Sequence, residues 1–167
     1  LANQKGHLLL STGNKSELAV GYCTLYGDMN GGLSVIGDLY KTCVFDLCKW
    51  IDSETACKSR SNYNLSQKGA IIGREILNKP PSAELRPNQF DSDSLPNYEV
   101  LDPILKSLLE EKCTPQELIN SGKDESLIKE IERLIKKAEF KRRQAPPLLK
   151  ISFQAFGSGW RVPIAAK

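Results

Sequence analysis

Two short apolar runs, each opening into a loop of small polar residues and then a helix, constrain the fold of this chain more than any other feature. The first, His7 to Leu10, leads into Ser11-Thr12-Gly13-Asn14, and the second, Leu33 to Ile36, leads into Gly37-Asp38. A run that is apolar without alternation suits a strand buried on both faces of a parallel sheet. Asn14 or Ser16 can then cap a helix predicted through Tyr26, because a short side-chain oxygen accepts from the unpaired amides of the first turn. Beyond the turn-forming Asp28-Met29-Asn30-Gly31-Gly32, the second run leads into a helix with Tyr40, Cys43, Val44, Leu47, Cys48 and Ile51 on one face. Two such units in succession predict an open α/β layer. Ligands in such layers sit at the carboxyl ends of the strands, here Ser11-Thr12 and Gly37-Asp38.

Leu1 to Gly6 reads as the last turn of a helix closed by glycine, so the chain is expected to begin inside a longer protein. Residues 53–68 turn to Ser, Asn, Thr and Lys with little periodicity, which predicts a mobile insertion. Lys79-Pro80-Pro81 stops a helix begun at Ala70, and the polar stretch from Ser82 to Pro96 predicts a long surface loop. The remainder is helical: Glu99 to Lys112, a helix opened by the capping box Thr114-Pro115-Gln116-Glu117, and Asp124 to about Arg143. The last has Leu127, Ile128, Ile131, Leu134, Ile135 and Ala138 as its buried stripe. The tail, with Phe153, Phe156 and Trp160, is expected to pack on a neighbouring surface.

A length of 167 residues predicts one domain, and 40% hydrophobic with 26% charged residues is the balance of a globular chain. A formal charge of +3 is too mild to imply a nucleic-acid protein. The five cysteines, Cys23, Cys43, Cys48, Cys57 and Cys113, contain no C-x-x-C and have only His7 as an imidazole companion. Neither a disulfide framework nor a zinc site is indicated, and a reducing cytoplasm is expected. No apolar stretch approaches the roughly 20 residues of a membrane helix.

The segment Ser11-Thr12-Gly13-Asn14-Lys15-Ser16-Glu17 gathers hydroxyls, a glycine turn, an amine and a carboxylate around one helix amino terminus. Unpaired amides and the helix dipole attract anions there, so phosphate with magnesium is a natural ligand. A capped strand-to-helix turn with no ligand has the same spacing.

The order of five blocks is more specific. S-T-G-N-K-S-E-L-A-V-G-Y-C-T-L-Y-G-D, L-Y-K-T, K-P-P-S-A-E-L-R-P-N-Q-F-D-S-D, F-K-R-R-Q-A-P and G-W-R-V-P-I-A-A-K together resemble the second half of the NAD+ synthetase domain, of the glutamine-dependent kind. The resemblance spans nearly the whole chain and implies a carboxy-terminal portion of a ligase with a Rossmann-like sheet. It implies ATP and Mg2+ as cofactors, deamido-NAD+ and glutamine or ammonia as substrates, an amidase domain as partner, and assembly as a homo-oligomer. Thr12, Lys41 and Ser82 would contact ATP, with Lys41 and Thr12 catalytic. Glu17, Tyr22, Cys23, Thr24, Leu25, Asp28 and Lys141 would bind deamido-NAD+, and Glu17 would also hold the metal. The loop Ser82 to Asp93, with Gln89 and Asp91, would act as a lid. Ser82, Leu25 and Phe140 depart from the threonine, lysine and histidine of other members. The family's Ser-Gly-Gly-x-Asp-Ser pyrophosphate loop is not found in this sequence, nor is a glutaminase cysteine with Glu and Lys partners, so the isolated chain is expected to be inactive. Two alternatives are another ATP-pyrophosphatase-type amidotransferase, and a non-catalytic basic module binding nucleic acid or protein through Lys136 to Arg143.

Overall fold

The computed structural model describes residues 1–157 and 159–164; the end of the last block, Ala165 to Lys167, lies outside them. The chain forms two compact units, Leu1–Lys41 with Tyr98–Lys167, and Thr42–Asn97.

In the first unit α1 (Ala2–Lys5) closes on Gly6 in the left-handed conformation, as its sequence predicts. Strands β1 (Leu10–Ser11) and β2 (Leu33–Ser34) pair in parallel, Leu10 with Leu33 and Ser11 with Ser34, and Leu148 joins the far side of Ser34 by a parallel bridge. Gly31 is required here: a Cβ would lie 2.9 Å from the Ser11 amide nitrogen, at a φ of 159°. The strands are shorter than expected, and Leu8, Leu9 and Leu10 are 64, 52 and 48% exposed instead of buried. Such a run needs neighbours on both edges and both faces, and within this chain β1 pairs with β2 alone among the described residues.

Helix α2 (Lys15–Val20) is capped by Asn14 in a full capping box with Glu17. It ends at Gly21, φ 74°, rather than continuing to Tyr26, which is 84% exposed. The left-handed glycine turns the chain and lets the Tyr22 amide donate back to the Glu17 carbonyl. Helices α6 (Tyr98–Leu109) and α8 (Glu125–Lys137) supply the core with Leu101, Leu105, Leu109, Ile128 and Ile131, and α2 packs against both. Each such buried side chain contributes about 1.5–3 kcal/mol. Between them α7 (Pro115–Asn120) carries the predicted Thr114 capping box with proline in its first turn.

The long helix predicted through Arg143 breaks at Ala138, and α9 (Glu139–Arg142) completes it. Arg142 is accommodated in the core because its buried guanidinium donates to the carbonyls of Leu18, Ala19 and Ile135 and to Glu139. It also stacks over Phe156 and Trp160, which meet edge to face at 5.5 Å. Phe153, by contrast, is 94% exposed and does not join this packing. The bridge at Leu148 carries the extended tail past Ser34, and the tail buries Phe156 instead.

Helix α3 (Lys41–Ile51), in the second unit from Thr42 on, has no buried residue, against the expected stripe: Cys43 and Leu47 are exposed and Trp50 is 48% exposed. Tyr40 is buried but precedes the helix. The rest of this unit is loops and helices of at most five residues, too little secondary structure to cover an apolar helical face. Residues 53–68 are not all irregular: a 3-10 turn (Glu54–Ala56) leads into α4 (Cys57–Ser61). Arg60 organises them by donating to the carbonyls of Ile51, Ser66 and Gly69, and the Asp52 carboxylate takes the amides of Ile71, Ile72 and Gly73. Helix α5 (Arg74–Asn78) stops before Pro80, as the prolines require.

Candidate functional site

The strand ends bring one set of the expected residues together. Thr12 follows β1 and is exposed, while its neighbour Ser11 is buried and donates its hydroxyl to the Asp28 carbonyl at 2.8 Å. At the start of α2, Glu17 spreads its carboxylate between the Asn14 amide, 3.1 Å from Oε2, and the Lys41 ammonium, 2.8 Å from Oε1. The side chains of Lys41 and Glu17 are 19 and 18% exposed, so the pair is sheltered yet reachable. The Lys41 ammonium also lies 5.5 Å from the centroid of the Tyr98 ring.

A second set lies at the other end of α2. Asp28 accepts the Thr24 amide at 2.9 Å and so closes the 24–28 turn. Lys141 donates to the carbonyls of Gly21 and Cys23, at 2.7 and 2.8 Å. The ammonium thus caps the last turn of α2, where carbonyls lack helical partners. Cys23 is buried with its sulfur 3.4 Å from that of Met29, and burial pushes its thiol up to about 11, against the pull of Lys141. Tyr22 and Leu25 are half-buried beside it. Ser82 belongs to the second unit, where its hydroxyl accepts the Glu84 amide. It lines a cavity of about 530 Å3 with Lys79, Arg86 and Gln89.

The basic run at the end of α8 and in α9 is divided between surface ion pairs and contacts inside the protein. Lys136 pairs with Glu132, Arg142 and Arg143 pair with Glu139, and Lys141 holds its two carbonyls. Lys141 and Arg142 are thereby occupied with backbone carbonyls and Glu139.

Sequence reasoning misses the group that fixes the strand-end loops. Lys15 is fully buried, its ammonium 3.0 Å from Asp38, 2.7 Å from Glu110 and 2.7 Å from the Ser152 hydroxyl, with the Gln154 carbonyl at 2.8 Å. Burial alone would raise the Asp38 carboxyl. The amides of Ser152 and Ile151, with Lys15 and the Ser152 hydroxyl, outweigh that and hold it below its ordinary range. Ser16 is buried too and meets Asp102 and the Lys41 amide. The available signal is spacing: Lys15 stands three and four residues before Leu18 and Ala19, on the apolar face of α2.

A parallel pair whose carboxyl ends open into loops and helices defines the class: a Rossmann-like α/β layer. Similarity to known proteins narrows it. The family model "NAD synthase" matches residues 1–145, and the chain belongs to that family. It is 57% identical to a glutamine-dependent NAD(+) synthetase of Synechocystis sp. over 165 residues, 99% of this chain and 27% of that protein. It is 47% identical to the enzyme of the same description from Thermotoga maritima, over 98% of this chain and 26% of that protein. Among solved structures, a glutamine-dependent NAD(+) synthetase from Cytophaga hutchinsonii superposes with a TM-score of 0.68 at 26% identity, over 98% of this chain and 25% of that one. The chain therefore spans about a quarter of the length of the relatives it matches. Among the described residues no helix is long and apolar enough to cross a membrane.

Proposed function

We propose that this chain supplies part of the ligase site of a glutamine-dependent NAD+ synthetase. In the first step a carboxylate oxygen of deamido-NAD+ attacks the α-phosphorus of ATP and pyrophosphate leaves. Ammonia then attacks the acyl carbon and AMP departs, leaving the nicotinamide. The observation that carries this reading is the sheltered Lys41–Glu17 ion pair at the start of α2, with Thr12 exposed after β1, all three inside the residues the family model matches. A lysine ammonium there offsets charge gathering on the departing pyrophosphate. Thr12 and Ser82 would donate hydroxyls to phosphate oxygens.

Glu17 from the start of α2, with Tyr22, Cys23, Thr24, Leu25, Asp28 and Lys141 around its other end, would bind the dinucleotide, and the 82–93 loop would exclude water from the acyl-adenylate. Among the described residues no three acidic, cysteine or histidine side chains converge as a metal cage. Magnesium commonly takes one or two carboxylates and completes its shell with phosphates and water, so Glu17 would be its one protein ligand, through lone pairs left by the Lys41 ammonium and the Asn14 amide. When bound, the ion would screen the polyphosphate from the incoming carboxylate. Ammonia would come from glutamine through an amidase region in the remaining length of the protein. We place the protein in the cytoplasm as a homo-oligomer, with residues 53–68 as an insertion outside the chemistry and the chain inactive by itself.

The test is Lys41→Ala in the full-length protein, assayed for ammonia-dependent NAD+ formation. A fall in kcat/KM of about a hundredfold is expected, on the scale of losing one transition-state charge contact. Turnover equal to the parent's would remove Lys41 from the site.

A further inference from the structure

Lys41 is a long flexible side chain at the first position of α3, and its root is held by a hydroxyl from the start of α2. The amide of a first helical residue has no partner inside its own helix. Here the Ser16 hydroxyl oxygen accepts it at 2.9 Å. That hydroxyl in turn donates to Asp102 Oδ1 at 2.6 Å, and both Ser16 and Asp102 are buried, 0 and 4% exposed. A serine hydroxyl rotates freely unless an acceptor fixes its proton, and a buried carboxylate fixes it with a charge-assisted bond. The remaining lone pairs of the oxygen are then turned to the Lys41 amide.

The same two helices hold the other end of the side chain. Glu17, next to Ser16 on α2, takes the ammonium at 2.8 Å, and Tyr98, one turn before Asp102 on α6, sets its ring 5.5 Å away. Lys15 adds to the arrangement from the residue before, its amide donating to the Leu39 carbonyl at 2.8 Å. Root and tip of Lys41 are therefore fixed by consecutive residues of α2, themselves braced by α6.

We propose that Asp102, acting through the Ser16 hydroxyl, positions Lys41 for its contact with the ATP phosphates. The proposal rests on the reading of Lys41 as an ATP-contacting lysine. Ser16 and Asp102 are positioning residues; neither reaches a substrate. Displacement of a charged group by about 1 Å can cost a hundredfold in rate, so losing the brace is felt mainly in the use of ATP.

The experiment uses the full-length protein with Ser16→Ala and Asp102→Ala, each alone and combined with Lys41→Ala, measuring KM for ATP and for ammonia. A rise in KM for ATP of roughly five- to thirtyfold is expected from either change, with KM for ammonia within about twofold. In the Lys41→Ala background neither change should move KM for ATP further. An effect that persists there, or equal shifts in both KM values, would show a general structural role and overturn the proposal. If Lys41→Ala itself leaves ATP kinetics unmoved, the reading of Lys41 fails first and is recognised separately. Should the alanine variants not fold, Asp102→Asn keeps the acceptor oxygen but not the charge. It should speed hydrogen exchange of the Lys41 amide and raise KM for ATP by a smaller factor; an unchanged exchange rate would count against the brace.

Discussion

Replacing Lys15 by methionine removes a fully buried ammonium while nearly preserving volume. Asp38, whose side chain is inaccessible, and Glu110, at 9%, then face each other without their shared cation. Removing one member of a buried ion pair costs about 3–5 kcal/mol, because the partner charge stays buried. Asp38 keeps the Ile151 and Ser152 amides and the Ser152 hydroxyl, at 2.7 to 2.8 Å, so the lower end of that range applies, about 3 kcal/mol. For a chain of this size that is a fall in Tm of roughly 6–12 °C. Urea unfolding monitored by fluorescence reads it directly in a Trp50→Phe background, where Trp160, in the first unit, is the remaining tryptophan. Combining Lys15→Met with Asp38→Asn should recover about 1–3 kcal/mol of the sum of the single changes. A single-variant loss below about 1 kcal/mol, or strict additivity in the double variant, would refute the view of Lys15 as the cation that neutralises this cluster.

Three more outcomes rest on the same geometry. Gly21→Ala forces an L side chain to φ 74° with its Cβ 2.9 Å from that of Ala138, and should destabilise by about 1–3 kcal/mol in thermal melts. The Cys23 thiol, pushed up to about 11 by burial, should resist iodoacetamide at about pH 8 until the protein unfolds, while exposed Cys43 reacts promptly; equal labelling rates by mass spectrometry would contradict this. Asp38 titrates below its ordinary value of 3.8 when folded, so its contribution is complete above about pH 4 and is lost as pH falls through the folded value. Asp38→Asn should therefore flatten the acid limb of the stability curve, measured by urea midpoints between about pH 2 and 5.

What can be read from the residues is whatever short-range chemistry decides. Asn14, Thr114 with Pro115, and Gly6 act on their own next few amides, and all three end or begin helices as predicted. The parallel pairing of the two apolar runs is legible too, since both are apolar without alternation. Burial is not legible where it depends on a neighbour. Leu8 to Leu10, and Cys43 and Leu47 of the α3 stripe, are apolar in the right pattern, yet all five remain exposed. Lys15 shows the opposite error. It looks like one more member of a polar turn, although its spacing from Leu18 and Ala19 puts it inside, because a buried lysine is rare and its two carboxylates come from positions 38 and 110. Lys41 and Glu17 are both expected as site residues; that Ser16 and Asp102 tie Lys41 down is hidden, because those two stand 86 positions apart.

The tail contacts of Lys15 and Asp38 also say where this part of the protein can be cut. The family match stops at 145, yet the amides of residues 151 and 152, the hydroxyl of Ser152 and the carbonyl of Gln154 close the cage beneath the first strand-end loop. An expression boundary drawn at 145 would strip an ammonium and an aspartate of four ligands from a segment the match leaves out. Any excision that keeps the loop intact has to run at least through Gln154, and a terminal fusion belongs beyond it.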